Sequence, residues 1–305
     1  MTQVGRRKLS RARLSCLKWW SVVLGPKMNN TEFYADQDSL TDPGAFAGLY
    51  NDLPSSPAEL RDVVSRLIAH VNWATRYGVS PGAALARDTL PVADRLKLSQ
   101  TLMLGSLVAE RSADKRSFGT CRDHALVLCS MLRHRSIPAR VRCGFATYFT
   151  AGPYEDHWIC EYWSAGAKRW IRADAQLDQL HRDQLAIEFD CANLPDDAFL
   201  LSGQAWRLAR SGIVAPEAFG HGDAKGLWFL RVNVYRDLLA LTNQCMSAWD
   251  TWRNSTVLSK ELSPAACTAV DELMEVIEAF EGGSDKIAVL KAIASKSQIP
   301  PWHSC

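Results

Sequence analysis

Three side chains in the middle of this 305-residue chain could together perform nucleophilic chemistry: Cys121, His157 and Asp174. Cys121 stands where a helix is predicted to begin, and the free N–H groups and dipole of a helix start favour a thiolate. An imidazole can take the thiol proton and give it to a leaving group, while a carboxylate holds that imidazole in one tautomer. A single cysteine is more often a small buried hydrophobic side chain, so the prediction depends on all three residues together.

His157 and Asp174 are predicted to face each other across a β-hairpin. Short, aromatic-rich strands are predicted over 156–163 and 168–174, with a four-residue loop between them. That loop places His157 directly opposite Asp174, where side chains on one face have Cβ atoms about 4.5–5.5 Å apart. A slip of one residue would put the two on opposite faces, so the register decides whether they interact.

The helix that begins at Cys121 is predicted over 121–135, because Ile137-Pro138 stops it and a strand follows over 139–149. The backbone N–H of Cys121 would be one donor to the oxyanion of a tetrahedral intermediate. The sequence does not indicate the second donor, for which Gln100 is only a candidate.

Further helices are predicted on both sides of this central segment. The first has Ser56 as its N-cap and continues to Gly78; His70, inside it, is expected to be satisfied or exposed rather than a ligand. The others follow from the helical spacing of apolar residues and cover 91–110, 196–210, 224–243 and 264–281.

Composition indicates an ordinary globular protein, with 47% hydrophobic and 22% charged residues. The nine cysteines form no CxxC pair or dense framework, which favours a reduced, cytoplasmic protein over a disulfide scaffold. The sequence contains no apolar run long enough to span a bilayer. It contains no EF-hand loop either, and neither a metal nor another cofactor is implied.

Charge divides the chain unevenly. Residues 1–27 contain seven of the 35 basic residues and no acidic residue, which leaves 28 basic against 33 acidic residues in the remainder. We interpret 1–27 as a disordered leader, although secretory signals and arms that bind nucleic acid or membrane share such a pattern. The remainder is predicted to form a catalytic domain over 28–222 and a helical extension over 223–305 packed on it.

The residues around Cys121 resemble the core of the transglutaminase-like superfamily, over about residues 117–178. The family pattern combines a G-x-C-x-x-x-A helix, a G-I-P-A-R turn and strand, a strand with His and then Glu four residues later, and a strand with Trp and Asp. The matching residues are Gly119-Thr120-Cys121-Arg122-Asp123-His124-Ala125, Leu132-Arg133, Ile137-Pro138-Ala139-Arg140-Val141, Gly144-Phe145, His157, Glu161, Trp170 and Asp174. Two positions depart from the pattern, with Ser136 in place of the usual Gly and Ile159 in place of the usual Trp.

The resemblance implies an α+β, papain-like fold in which the nucleophile helix packs on an antiparallel sheet, with helical extensions at both ends. It implies a bacterial, stand-alone enzyme with a catalytic triad of Cys121, His157 and Asp174 and a thioester acyl-enzyme. Acyl transfer and hydrolysis are both open. The substrate would carry an amide or a thioester on a peptide, a protein or a small molecule.

Two alternatives remain at this point. The chain could be an inactive binding module that kept the fold. A zinc site built from Cys121, Cys129 and His134 is the other alternative, although its spacing fits known ligand patterns poorly. No nucleic-acid partner is expected, and the sequence does not indicate an oligomeric state.

Overall fold

The computed structural model describes residues 30–80, 91–150, 154–244, 261–281 and 286–296, so the predicted leader over 1–27 lies outside the described residues. The helices are α1 (Asn30–Phe33), α2 (Pro57–Leu67), α3 (Val92–Leu102), α4 (Cys121–His134), α5 (Gln179–Leu185), α6 (Ser202–Arg210), α7 (Leu227–Leu241), α8 (Pro264–Glu281) and α9 (Ile287–Lys296). The strands are β1 (Ile68–His70), β2 (Ser117–Gly119), β3 (Ala139–Ala146), β4 (Glu155–Ser164), β5 (Arg169–Ala173), β6 (Phe199–Leu201), β7 (Gly220–His221) and β8 (Ala224–Lys225). Among these helices, none combines the length and the apolar character that a membrane crossing needs.

A four-stranded antiparallel sheet with the strand order β5-β4-β3-β6 forms the centre of the described structure. The helix α4 packs against β3 and β4, and its Leu128 and Leu132 are fully buried. Burying one leucine side chain contributes about 1.5–3 kcal/mol, so this face of α4 is a major source of stability. The arrangement confirms the predicted α+β fold, in which the helix that begins at Cys121 packs on an antiparallel sheet.

Both faces of β3 are buried, because helices cover the sheet on both sides. Val141 packs in a hydrophobic cluster with residues of α2 and α4, whereas the neighbouring Arg142 reaches α7 and α8. Arg142 makes two hydrogen bonds with Asp237, of 2.9 and 2.8 Å, and ion pairs with Glu161 and Glu281. A buried ion pair therefore holds α7 on the sheet, and the more exposed Glu281 adds a contact from α8. Breaking a buried pair typically costs about 3–5 kcal/mol.

The first predicted helix is too long, because α2 ends at Leu67. The next three residues form β1, which pairs in parallel with β2 and places His70 beside Gly119. All three residues of β1 are buried, and pairing with β2 satisfies their backbone groups where no water can reach them. His70 then caps a short 3-10 helix, Val71–Tyr77, by accepting the backbone N–H of Asn72 at 3.3 Å. Strand pairing has overridden the helical spacing of the apolar residues.

Other boundaries also differ from the prediction. The helix predicted over 91–110 ends at Leu102. The helix predicted over 196–210 begins only after the edge strand β6, whose backbone pairs with β3. By contrast, α8 begins and ends as predicted. Its start is explained by Pro264, because a backbone N–H in the first turn of a helix would have no partner within the helix.

Candidate active site

Cys121 is the first residue of α4 and is partly exposed, whereas the other described cysteines are buried. Asp123 closes the start of this helix by accepting the N–H of Thr120 at 2.7 Å and its hydroxyl at 3.0 Å. The buried Arg95 donates to the other carboxylate oxygen of Asp123 at 2.6 Å. Asp123 therefore has a structural role, which is to fix the backbone from which the Cys121 side chain projects.

The structure brings together the three residues singled out from the sequence. His157, on β4, places its Nε2 atom 2.8 Å from Oδ2 of Asp174, and both side chains are buried. The sulfur of Cys121 lies close enough to the same imidazole to contribute to raising its pKa. Because Nε2 is held by the carboxylate, Nδ1 is the nitrogen left for the sulfur.

The protonation of His157 is set by its neighbours more than by its burial. Burial alone would lower the pKa of His157, but the facing carboxylate of Asp174 and the Cys121 sulfur outweigh that effect and raise it to about 10. For Asp174, burial alone would raise the pKa. His157 and the other hydrogen-bond donors to this carboxylate outweigh burial and lower the pKa of Asp174 to about 2. At neutral pH the pair is therefore an imidazolium held by a carboxylate.

The predicted register of this hairpin is wrong by two residues. The loop begins and ends one residue later than predicted, with Lys168 closing it at a φ of 51°, so that Cys160 pairs with Ala173. Asp174 therefore lies just beyond β5 and diagonal to His157. A shift of two residues keeps both side chains on the same face of the sheet. Diagonal neighbours on adjacent strands are about 7–8 Å apart, a distance that long side chains can bridge.

Two further donors hold the carboxylate of Asp174. The hydroxyl of Tyr148 donates to Oδ2 at 2.6 Å, and the backbone N–H of Gln176 donates to Oδ1 at 2.8 Å. The ring of Phe149 packs edge-on against His157, with centroids 4.9 Å apart. Sequence reasoning missed these residues, because no spacing rule connects the loop after β3 with the end of β5.

A family model described as the transglutaminase-like superfamily matches residues 84–175, which include Cys121, His157 and Asp174. The central segment of the chain therefore matches the transglutaminase-like superfamily. The predicted resemblance is confirmed.

A crystal structure of a candidate cysteine protease from Cytophaga hutchinsonii is similar over 49% of this chain and 43% of that protein, with 17% sequence identity and a TM-score of 0.31. The chain thus spans less than half the length of that protein. Among curated proteins, none matches the chain.

A second histidine–carboxylate pair supports the candidate active site from the side of α5. Nδ1 of the buried His181 lies 2.8 Å from Oδ1 of Asp178, and Arg116 donates to Oδ2 of the same carboxylate at 2.9 Å. The side-chain amide of Gln176 lies 3.4 Å from Nε2 of His181, while its backbone N–H holds Asp174. This cluster therefore fixes the segment that follows β5.

Gln100, the candidate second oxyanion donor, is engaged elsewhere. Its side-chain amide donates to the carbonyl oxygen of Gly105 at 2.9 Å and accepts the N–H of Gly105 at 3.0 Å. These bonds close an exposed loop after α3, so the expectation for Gln100 is wrong.

The zinc alternative also fails on geometry. Cys121 and His134 are the first and last residues of α4, which separates them by about 20 Å at 1.5 Å per residue. Cys129 between them is fully buried in the core. Across the part of the chain that the structure describes, no three His, Cys, Asp or Glu side chains are grouped so that they could hold a metal ion.

Proposed function

We propose that this chain is a thiol-dependent enzyme that transfers or hydrolyses an acyl group held in an amide or thioester bond. The observation that carries the proposal is the hydrogen bond between His157 and Asp174, with the Cys121 sulfur, at the start of a buried helix, close enough to raise the pKa of His157. The match of residues 84–175 to the transglutaminase-like superfamily supports it.

In the first half-reaction, the sulfur of Cys121 attacks the carbonyl carbon, and the C=O electron pair moves to the oxygen. The imidazolium of His157 then gives its proton to the departing nitrogen or sulfur as the tetrahedral intermediate collapses. The product is a thioester between Cys121 and the acyl group. Asp174 stays ionised throughout and holds the ring in place.

In the second half-reaction, water or an amine attacks the thioester carbonyl while the now neutral His157 takes its proton. The thiolate of Cys121 leaves, and the thiolate–imidazolium pair is restored. Attack by water gives hydrolysis, and attack by an amine gives acyl transfer. The site geometry is common to both, so the choice depends on which nucleophile reaches the acyl-enzyme.

The start of α4 would assist the charge that develops on the carbonyl oxygen. The first N–H groups of a helix have no carbonyl four residues earlier within the helix, so the N–H of Cys121 can point at a ligand. Such a donor, fixed before the reaction begins, stabilises an oxyanion more than a mobile one does. The hydrogen bonds of Asp123 that fix Thr120 support this arrangement.

The proposal is tested by trapping the acyl-enzyme. The full-length protein is treated with S-phenyl thioacetate, quenched in acid and examined by peptide mass spectrometry. We expect an acetyl group on Cys121 that hydroxylamine removes, as it does from thioesters. His157→Ala should abolish the adduct, whereas Cys267→Ser, at a buried cysteine of α8, should leave it unchanged.

Absence of the adduct in wild type, or an adduct that is indifferent to His157→Ala, would contradict the proposal and favour an inactive binding module. If the adduct forms, its decay with and without an added primary amine separates the two reactions. Decay that the amine accelerates, with an amide as product, identifies acyl transfer.

A further inference from the structure

An oxyanion at Cys121 would be stabilised by a second donor beside the backbone N–H. His70 lies on the strand that runs beside this segment. It ends β1 and pairs with Gly119, two residues before Cys121. Neighbouring strands lie about 4.8 Å apart, so the backbone of His70 lies beside the segment that leads into α4.

His70 presents a donor, and not an acceptor, at its outer nitrogen. Its Nδ1 accepts the backbone N–H of Asn72 at 3.3 Å, so the proton of the neutral ring is on Nε2. In the described ranges, Nε2 has no hydrogen-bond partner, and it is not sealed from solvent although only 8% of the residue is exposed. Burial and the neighbouring histidines lower the pKa of His70 well below its usual value, so the ring stays neutral at neutral pH.

The surroundings of His70 tie it to the candidate active site. The ring lies within the electrostatic field of His157 and packs near His124, with ring centroids 6.4 Å apart. The two ring nitrogens of His124 lie 2.9 Å from the carbonyl oxygen of Thr120 and 3.2 Å from that of Ile68, and the single N–H of the neutral ring can donate to one of them. His124 therefore lies between β1 and the residue before Cys121.

We propose that the Nε2–H of His70 is the second hydrogen-bond donor to the oxyanion formed when Cys121 attacks a carbonyl. This inference rests on the proposed function, because it assigns a role within the acylation step. His70 does not take part in the transfer of the thiol proton, which belongs to His157. Acylation therefore depends on His70, whereas any reaction of the thiolate that forms no oxyanion does not.

Two reagents distinguish a loss of oxyanion stabilisation from a loss of thiolate reactivity. Alkylation of Cys121 by iodoacetamide displaces iodide at a saturated carbon and forms no oxyanion, whereas acylation by S-phenyl thioacetate does. Both rates are measured on wild type, His70→Asn and His70→Gln. Asn keeps an acceptor for the N–H of Asn72, as Nδ1 does, but its side chain is too short to replace Nε2. Gln carries an N–H near the place of Nε2.

We expect His70→Asn to slow acylation by about 10²–10³-fold, the usual loss for one oxyanion donor, with alkylation within about twofold of wild type. His70→Gln should recover at least part of the acylation rate. His221→Asn, at an exposed histidine on β7, is the matched control and should change neither rate. Wild-type acylation by His70→Asn, or equal losses in both reactions, would overturn the inference.

A measurement on wild type covers the case in which His70→Asn does not fold. Acetaldehyde adds reversibly to a reactive thiol and gives a hemithioacetal whose oxygen stands in for the oxyanion. We expect the ¹⁵N and ¹H signals of the His70 Nε2–H to shift on saturation with acetaldehyde, and unchanged signals would overturn the inference. A wild-type protein that neither alkylates rapidly nor acylates at Cys121 would instead contradict the proposed function itself.

Discussion

The hydroxyl of Tyr148 donates to the same oxygen of Asp174 that His157 contacts, so Tyr148→Phe removes one donor from a buried carboxylate. Hydrogen bonds to charged groups contribute about 1.5–3 kcal/mol, and we expect a loss of this size in the free energy of unfolding at pH 7. The ring of the new Phe keeps the contact with Phe149, whose centroid lies 4.8 Å from that of Tyr148. The loss therefore reports the hydroxyl and not the packing.

Urea denaturation of wild type and Tyr148→Phe measures this difference. Tyr162→Phe is the matched control, because the hydroxyl of Tyr162 donates to the uncharged carbonyl oxygen of Ala192 at 3.2 Å. A neutral bond of this kind contributes about 0.5–1.5 kcal/mol, so the control should lose clearly less stability. Equal losses in the two variants would refute the view that Tyr148 stabilises an ionised Asp174.

Two further predictions concern packing and protonation. In Gly144→Ala the new Cβ would clash with the carbonyl oxygen of Leu200 and lie 2.7 Å from the ring of Phe199, so β3 and β6 must separate. We expect a loss of about 1–3 kcal/mol or more and a lower Tm, whereas Gly166→Ala, which meets open space, should have little effect. The pKa of His157 is raised from 6.5 to about 10, so its ion pair stabilises the fold fully below pH 6.5, and this contribution is lost as the pH rises through about 10. The stability difference between wild type and His157→Gln should shrink over that range, and a constant difference would contradict the assignment.

The parts of the fold that local chemistry determines could be predicted from the sequence. The start of α4 at Cys121 follows from Thr120 and Asp123, whose capping contacts act within four residues. The ends of α8 follow from Pro264 and a regular apolar stripe. The α+β architecture then follows from the order of these elements and from the family resemblance.

Features that depend on tertiary pairing could not be predicted in the same way. The sequence of β1 continues the helical pattern of α2. His70 lies in a strand only because the backbone of β1 pairs with β2. The hairpin register depends on the positive φ of Lys168, and a lysine in the sequence does not indicate such a backbone conformation. The hydrogen bond of Tyr148 to Asp174 joins two loops that become neighbours only after the sheet forms.

The most direct test of the central claim is the rate at which iodoacetamide alkylates Cys121 at pH 7, followed by peptide mass spectrometry. The thiolate is the nucleophile in this reaction, so a His157 that takes the thiol proton should speed it. We expect Cys121 to label faster in wild type than in His157→Ala. Equal rates for the two proteins would contradict the claim that Cys121 and His157 act as a pair.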